Sequence, residues 1–251
     1  MKRLKLSQDW LNELLPGGLP YPGTTLISGP GGSGKPLVGF AFAYDWLKTG
    51  GNTIFIPLQY PKMEIVKTAL KQLYYLNIEQ YSHQIAYIQF NPYLEKYKKV
   101  DGNIIEANLV KSDVWDVAIS EAENILTKRG GLGTLIFASA LNLLLFSPTY
   151  QKLNLDKLEK IIRDDKTRTY ILSVSTSAFK EEIERWEEAA DNLMFARMGE
   201  SMKLYLKTAK IENKDSLSRE IQVPVSREIL EDIKEVAEHT RQRQIPILRG
   251  I

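Results

Sequence analysis

The feature that most constrains this chain is the run Gly29, Pro30, Gly31, Gly32, Ser33, Gly34, Lys35 and Pro36. Before it lies an apolar stretch, residues 24–28, that reads as a buried strand, and after it a stretch of helical pattern, residues 37–49. A strand, a glycine turn and a helix in that order let successive backbone N–H groups converge at a helix N-terminus, where they cradle an anion. The run fits G-x-x-x-x-G-K-S/T at every fixed position except the last, and these residues form the candidate binding site. In that pattern the lysine reaches the phosphates and the closing hydroxyl coordinates Mg²⁺. Lys35 is present, but Pro36 stands where the hydroxyl belongs. Proline fits the first turn of a helix without strain, yet brings neither an oxygen ligand nor an N–H. The expectation is an intact phosphate cradle with a weakened metal site.

The rest of the chain alternates between the two periods. Gly50 and Gly51 close the first helix. Residues 53–56 read as the next strand, ended by Pro57 and Pro61, and residues 63–76 as a helix. A strand follows at 85–90, whereas 91–111 is irregular and expected to be a surface excursion. Residues 112–128 read as a helix capped by Ser112, with Gly130, Gly131 and Gly133 leading into a strand at 134–138. Helices at 153–163 and 179–189 and strands at 170–174, 193–196, 203–208 and 220–223 complete the pattern. Such alternation predicts an α/β fold: a mostly parallel twisted sheet with helices on both faces and antiparallel strands toward the C-terminus. Ligands in such sheets sit beyond the carboxyl ends of the strands, where the glycine turn lies. A single domain over residues 1–251 is expected, with about 240–251 as a frayed basic tail carrying Arg241, Arg243 and Arg249.

Composition narrows the function classes. Apolar residues make up 43% and charged residues 25%, values of a packed domain. A net charge of +2 gives no global field for nucleic acid or anionic lipid, so any such contact must be local. The chain has no cysteine, which removes disulfides, thiolate metal sites and a thiol nucleophile. No run of about 18 apolar residues occurs, so the reading is neither secreted nor membrane-spanning, and cytoplasmic.

Residues 11–35, LNELLPGGLPYPGTTLISGPGGSGK, resemble the opening of the KaiC/RadA branch of RecA-like ATPases, where a Leu-Asp-x-Leu-Leu-x-Gly-Gly-Leu-Pro run precedes the phosphate loop. The resemblance extends over most of the chain, is most specific in its first fifty residues, and is nearest in style to archaeal RadA paralogues and KaiC-like proteins. It implies a RecA-like core and a nucleotide site with several losses. Glutamates that polarise the attacking water in the family are replaced by Gln59 and Tyr60, and the aspartate that orders the metal's water shell aligns with Ala138. Ser175, Thr176 and Ser177 occupy a phosphate-sensing position. Lys207 matches a lysine offered to a neighbouring subunit, but the arginine after it is Ala209. One lost electrostatic stabiliser costs about 10²- to 10³-fold in rate, so joint loss of these groups implies no assisted hydrolysis. No catalytic or metal-binding residue is therefore expected. The implied ligand is ATP, ADP or a phosphate-like anion without magnesium, or none. The implied role is a regulatory or scaffolding partner, of itself or of an active RecA-like paralogue, in recombination or repair. The alternative is a weak ATP-dependent, DNA-binding RadA paralogue.

Weaker patterns favour plainer readings. Tyr93, Lys96, Tyr97, Lys98 and Lys99 could track a single nucleic-acid strand, but a solvated loop is the commoner meaning. Residues 180–191 are strongly acidic and would repel phosphate, whereas 146–160 are neutral to basic. His83 and His239 lack ligand-spaced partners and read as surface residues. Trp10, Trp46, Trp115 and Trp186 read as core or interface anchors.

Overall fold

A computed structural model describes residues 2–60, 62–127, 131–216 and 219–251. Pro61, Lys128 and Gly130, given roles above as a strand end, a helix end and a turn, lie outside the described residues. The apolar runs of the sequence become the strands β3 (Gly23–Ser28), β4 (Asn52–Pro57), β5 (Ile85–Phe90), β8 (Thr134–Ser139), β9 (Thr169–Ser173) and β10 (Asn192–Met198). They pair in parallel in the spatial order β10-β3-β9-β8-β4-β5. Beyond β10 the sheet turns antiparallel through β11 (Leu204–Ile211), which pairs with β12 (Lys214–Asp215) and β13 (Ile221–Gln222). A separate small ribbon joins β1 (Lys2–Leu4) to β2 (Leu19–Tyr21) across α1 (Asp9–Leu14).

Side chains alternate across a strand, so each central strand feeds two cores. Ile27, Phe55, Phe137 and Ile171 face one side, where they pack with Phe40 and Trp46 of α2 (Lys35–Lys48), and Val66 of α3 (Met63–Tyr74) belongs to the same core. Leu26, Ile54, Ile136 and Leu172 face the other side, toward Trp115, Leu158 and Trp186 of α4 (Ser112–Ile125), α5 (Gln151–Asp164) and α6 (Lys180–Ala189). All four tryptophans are thus core residues. Two glycines set how closely α2 approaches the sheet and its next turn. A methyl on Gly39 would lie 2.2 Å from the Phe137 ring, and one on Gly51 2.2 Å from the Trp46 indole nitrogen.

Two expectations are corrected. Residues 91–111 are not a mere excursion, because they contain β6 (Tyr97–Asp101) and β7 (Ile104–Ala107), with β7 parallel to β5. Ile105 and Ala107 turn inward in a run too short for its period to show among the surrounding polar residues. The second correction concerns the C-terminus. Residues 240–251 do not fray as a tail: a long helix, α7 (Arg227–Arg249), runs through them and buries Leu230, Ile233, Thr240 and Leu248. Its start is capped by Ser226 Oγ, which accepts from the Ile229 N–H at 3.3 Å. Among the described residues no helix is long and apolar enough to cross a membrane.

Candidate functional site

The sheet ends its β3 strand at Gly29, whose φ of +150° and whose contact with Ala196 leave no space for a side chain. The chain then makes the turn through Gly32 and Gly34, both at φ +73°, and enters α2 with Pro36 in its first turn. Gly29, Pro30, Gly31, Gly32, Ser33, Gly34, Lys35 and Pro36 therefore form one loop at the carboxyl end of the sheet, as the sequence places them.

The loop is closed upon itself. Lys35 Nζ donates to the carbonyls of Gly29 at 2.8 Å and Pro30 at 2.6 Å, and to Ser33 Oγ at 3.0 Å. The Gly31 N–H donates to Ser177 Oγ at 2.9 Å, and the Thr176 N–H to the Gly29 carbonyl at 3.0 Å. Ser175, in turn, is held by its N–H to Asn142 Oδ1 at 2.9 Å. The serine run after β9 thus does meet the phosphate loop. The N–H groups of Gly32, Ser33 and Gly34 find no acceptor among the described residues. Burial, and after it the nearby Arg241 guanidinium, pull the Lys35 ammonium from the usual 10.5 down to about 7.

Above this loop lies α7. A methyl on Gly34 would lie 2.6 Å from Leu230 Cδ2, one on Gly32 3.3 Å from Lys234 Cε, and one on Gly31 2.8 Å from Arg241 Nη1. What remains between the two is a cavity of about 40 Å³, lined by Gly31 to Pro36, Gln59, Tyr60, Asn142, Ser173, Ser175 and the underside of α7. Sites for drug-sized ligands run from roughly 300 to 1,000 Å³. With α7 in place the cavity is far too small for a nucleoside polyphosphate.

The residues also fail to fit a magnesium ion. Pro36 offers no oxygen, and Gln59 and Tyr60 line the cavity where the implied glutamates would be. Ala138, where the resemblance puts the aspartate, packs in the core on the far side of the sheet, whereas its neighbour Ser139 pairs in register with the cavity-lining Ser173. Strand alternation is the reason. Ser139 is 1% exposed and its hydroxyl has no partner among the described residues, but it is not a carboxylate. The one carboxylate among the described lining residues, Glu238, comes from α7.

Other candidate residues lie elsewhere. Lys207 is exposed on β11, its ammonium 5.9 Å from the centre of the Phe195 ring. Lys98 and Lys99 form ion pairs with Glu106 at 3.1 Å and Glu121 at 2.6 Å. Glu187 of the acidic helix turns inward to accept from Ser28 Oγ, and burial raises its pKa. His83, read as a surface residue, has its Nε2 buried without a partner among the described residues. Sequence reasoning missed Lys234, Glu238 and Leu230 and misplaced Arg241. The signal was there: positions 230, 234, 237 and 241 recur on one helical face.

The phosphate loop lies within the stretch that known proteins match. Residues 9–112 match the family described as "ATPase: KaiC". Over 102 residues, 41% of the chain, it is 28% identical to the archaeal flagellar ATP-binding protein FlaH of Methanocaldococcus jannaschii. Over 59 residues, 24% of the chain, it is 41% identical to a UPF0273 protein of Saccharolobus solfataricus. The aligned stretches span only 44% and 21% of those relatives. The fold is shared more widely. The crystal structure of the Methanocaldococcus jannaschii FlaH superposes with a TM-score of 0.63 at 18% identity, covering 89% of this chain and 94% of that one. A KaiC-like protein of Pyrococcus horikoshii superposes at 0.64 with 16% identity, covering 90% and 95%. Over residues 9–112 the chain is thus similar to the KaiC ATPase family, and its fold is the one that the FlaH and KaiC-like structures share.

Proposed function

We propose that this protein is a non-hydrolysing KaiC-like protein that holds a phosphate group without magnesium and serves as a regulatory or scaffolding partner. The observation that carries the reading is the cavity wall beneath α7: Pro36, Gln59, Tyr60 and Ser173 line it, and among the described residues the loop and strand ends contribute no carboxylate to it. Phosphoryl transfer depends on a metal and an oriented nucleophile, and the groups that would supply both are replaced. Phosphate binding needs less, and the free N–H groups of Gly32, Ser33 and Gly34 together with Lys35 retain it. Likeness to an ATP-binding protein supports the nucleotide site rather than any pathway. As partner we favour a second copy or an active RecA-like paralogue, in recombination or repair. A DNA-binding, weakly hydrolysing paralogue is less supported, since Lys98 and Lys99 are already paired with carboxylates.

The test is turnover of ATP with and without Mg²⁺ by the parent chain and by a revertant carrying Pro36→Ser, Gln59→Glu and Ser139→Asp, with Ala138→Asp replacing the last change in a parallel protein. The parent should release phosphate no faster than buffer, and the Ser139 revertant should gain magnesium-dependent turnover. Equal, magnesium-dependent turnover by parent and revertants would remove the reading.

A further inference from the structure

We propose that α7 is itself part of the anion site: Arg241 and Lys234 supply from above the positive charge that a metal ion would otherwise bring, and the small pocket takes a single tetrahedral oxyanion of the phosphate or sulfate class. This rests on the reading of the loop as a phosphate cradle and adds to it the helix, the ligand's size and its independence of metal.

Four observations converge. Arg241 reaches the same point beside Gly31 as the hydroxyls of Ser175 and Ser177, 2.8, 3.4 and 3.3 Å from where a methyl on that glycine would stand. Among the described residues its guanidinium makes no hydrogen bond or ion pair, although arginine carries a fork of donors suited to phosphate. Lys234 lies over Gly32, and its only ionic neighbour among the described residues is Glu238 at 4.0 Å, a pair too loose to satisfy it. Below, Lys35 is 6% exposed and, among the described residues, bonded only to neutral oxygens, so that Lys35, Arg241 and Lys234 share one pocket with a single described carboxylate, Glu238. Tyr60, 1% exposed, also lines the pocket; its hydroxyl has the Gln59 side chain near it but makes no hydrogen bond of ordinary geometry among the described residues. A single oxyanion would meet the free N–H groups from below and Arg241 from above. The cavity of about 40 Å³ has room for that and not for a base and sugar.

The experiment is calorimetric titration of the full chain with inorganic phosphate, in buffer containing a chelator and no divalent cation, for the parent and for Arg241→Ala, Lys234→Ala and Lys35→Ala. Thermal melts of each variant establish folding, which Arg241→Ala should retain because its side chain holds no partner among the described residues. Phosphate should bind the parent in that buffer, and replacing the chelator by Mg²⁺ should leave the affinity unchanged. Charge-assisted hydrogen bonds lose enough on truncation that Arg241→Ala should weaken binding about tenfold or more, with a smaller loss for Lys234→Ala. If Lys35→Ala loses phosphate while Arg241→Ala binds like the parent, the helix is only a cover and this proposal fails, but the cradle reading survives. If the parent binds no phosphate, this proposal also fails, and ADP then judges the cradle separately by whether its binding is lost in Lys35→Ala. ADP also separates free phosphate from nucleotide. Tighter binding of ADP than of phosphate, with lost amide protection along α7, would overturn the assignment of a single small anion.

Discussion

Gly31 gives its backbone N–H to the Ser177 hydroxyl, 2.9 Å away, so one arm of the phosphate cradle is spent on the protein's own loop. Removing that acceptor frees the donor at an exposed position where water replaces it cheaply. Ser177→Ala should leave the melting temperature nearly unchanged and raise affinity for sulfate or phosphate a few-fold, as calorimetry would measure. Weaker binding in Ser177→Ala would show that the hydroxyl serves the anion instead.

The pH behaviour follows from Lys35. Its pKa is lowered to about 7, first by burial and then by Arg241, while Lys234 and Glu238 of α7 also face the pocket. Between about 7 and 10.5 the unfolded chain holds a proton on this lysine that the folded chain has lost, so its contribution makes stability rise with pH across that window. Below it both forms are protonated and the folded state carries the full penalty of an uncompensated charge. An oxyanion in the pocket pushes the pKa back up. Sulfate binding near pH 8 should therefore take up a substantial fraction of one proton, seen as a dependence of binding heat on the buffer's ionisation enthalpy. Heats that do not vary with buffer would contradict the placement of Lys35 beside the anion.

Gly39 fixes the distance between the phosphate-loop helix and the sheet. With the Phe137 ring 2.2 Å from where its methyl would be, Gly39→Ala must push α2 outward or turn the ring. Overpacking of this kind costs about 1–3 kcal/mol. Chemical denaturation should show a lowered midpoint with an unchanged slope; a stabilised Gly39→Ala protein would mean that the helix seats differently.

Asp191 ties the far end of the phosphate strand. Its carboxylate accepts from the Thr24 N–H at 2.8 Å and pairs with Lys166 at 2.5 Å, with its side chain 4% exposed. Asp191→Ala leaves a buried N–H and a lysine without their partner, a loss of about 3–5 kcal/mol for a broken buried pair, less here because Lys166 is partly exposed. Equilibrium unfolding measures it, and a change within error would mean that water takes over both bonds.

The parallel sheet and the loop were legible because their signals are local: runs such as Thr24 to Ser28 and the glycines after them fix conformation within a few residues. What stayed hidden depended on partners distant in sequence. β7 becomes a strand only because β5 offers it an edge, and α7 buries Leu230 against a loop some 200 residues earlier in the chain. The register of Ser139 beside Ser173 likewise needs the neighbouring strand. Arg241 looked like a tail residue since nothing nearby in sequence says what its helix covers.

That helix enters one core with Leu230 and the opposite core with Leu248, so it crosses the end of the sheet and is fastened on both sides. Burying a leucine contributes about 1.5–3 kcal/mol, which puts release of both anchors at several kcal/mol. Any large ligand must therefore prefer the uncovered form by hundreds- to thousands-fold before it gains entry, in proportion to that cost. Abundant metabolites that merely carry a phosphate would be turned away at this threshold. A partner able to grip α7 and draw it off would decide when the pocket is open.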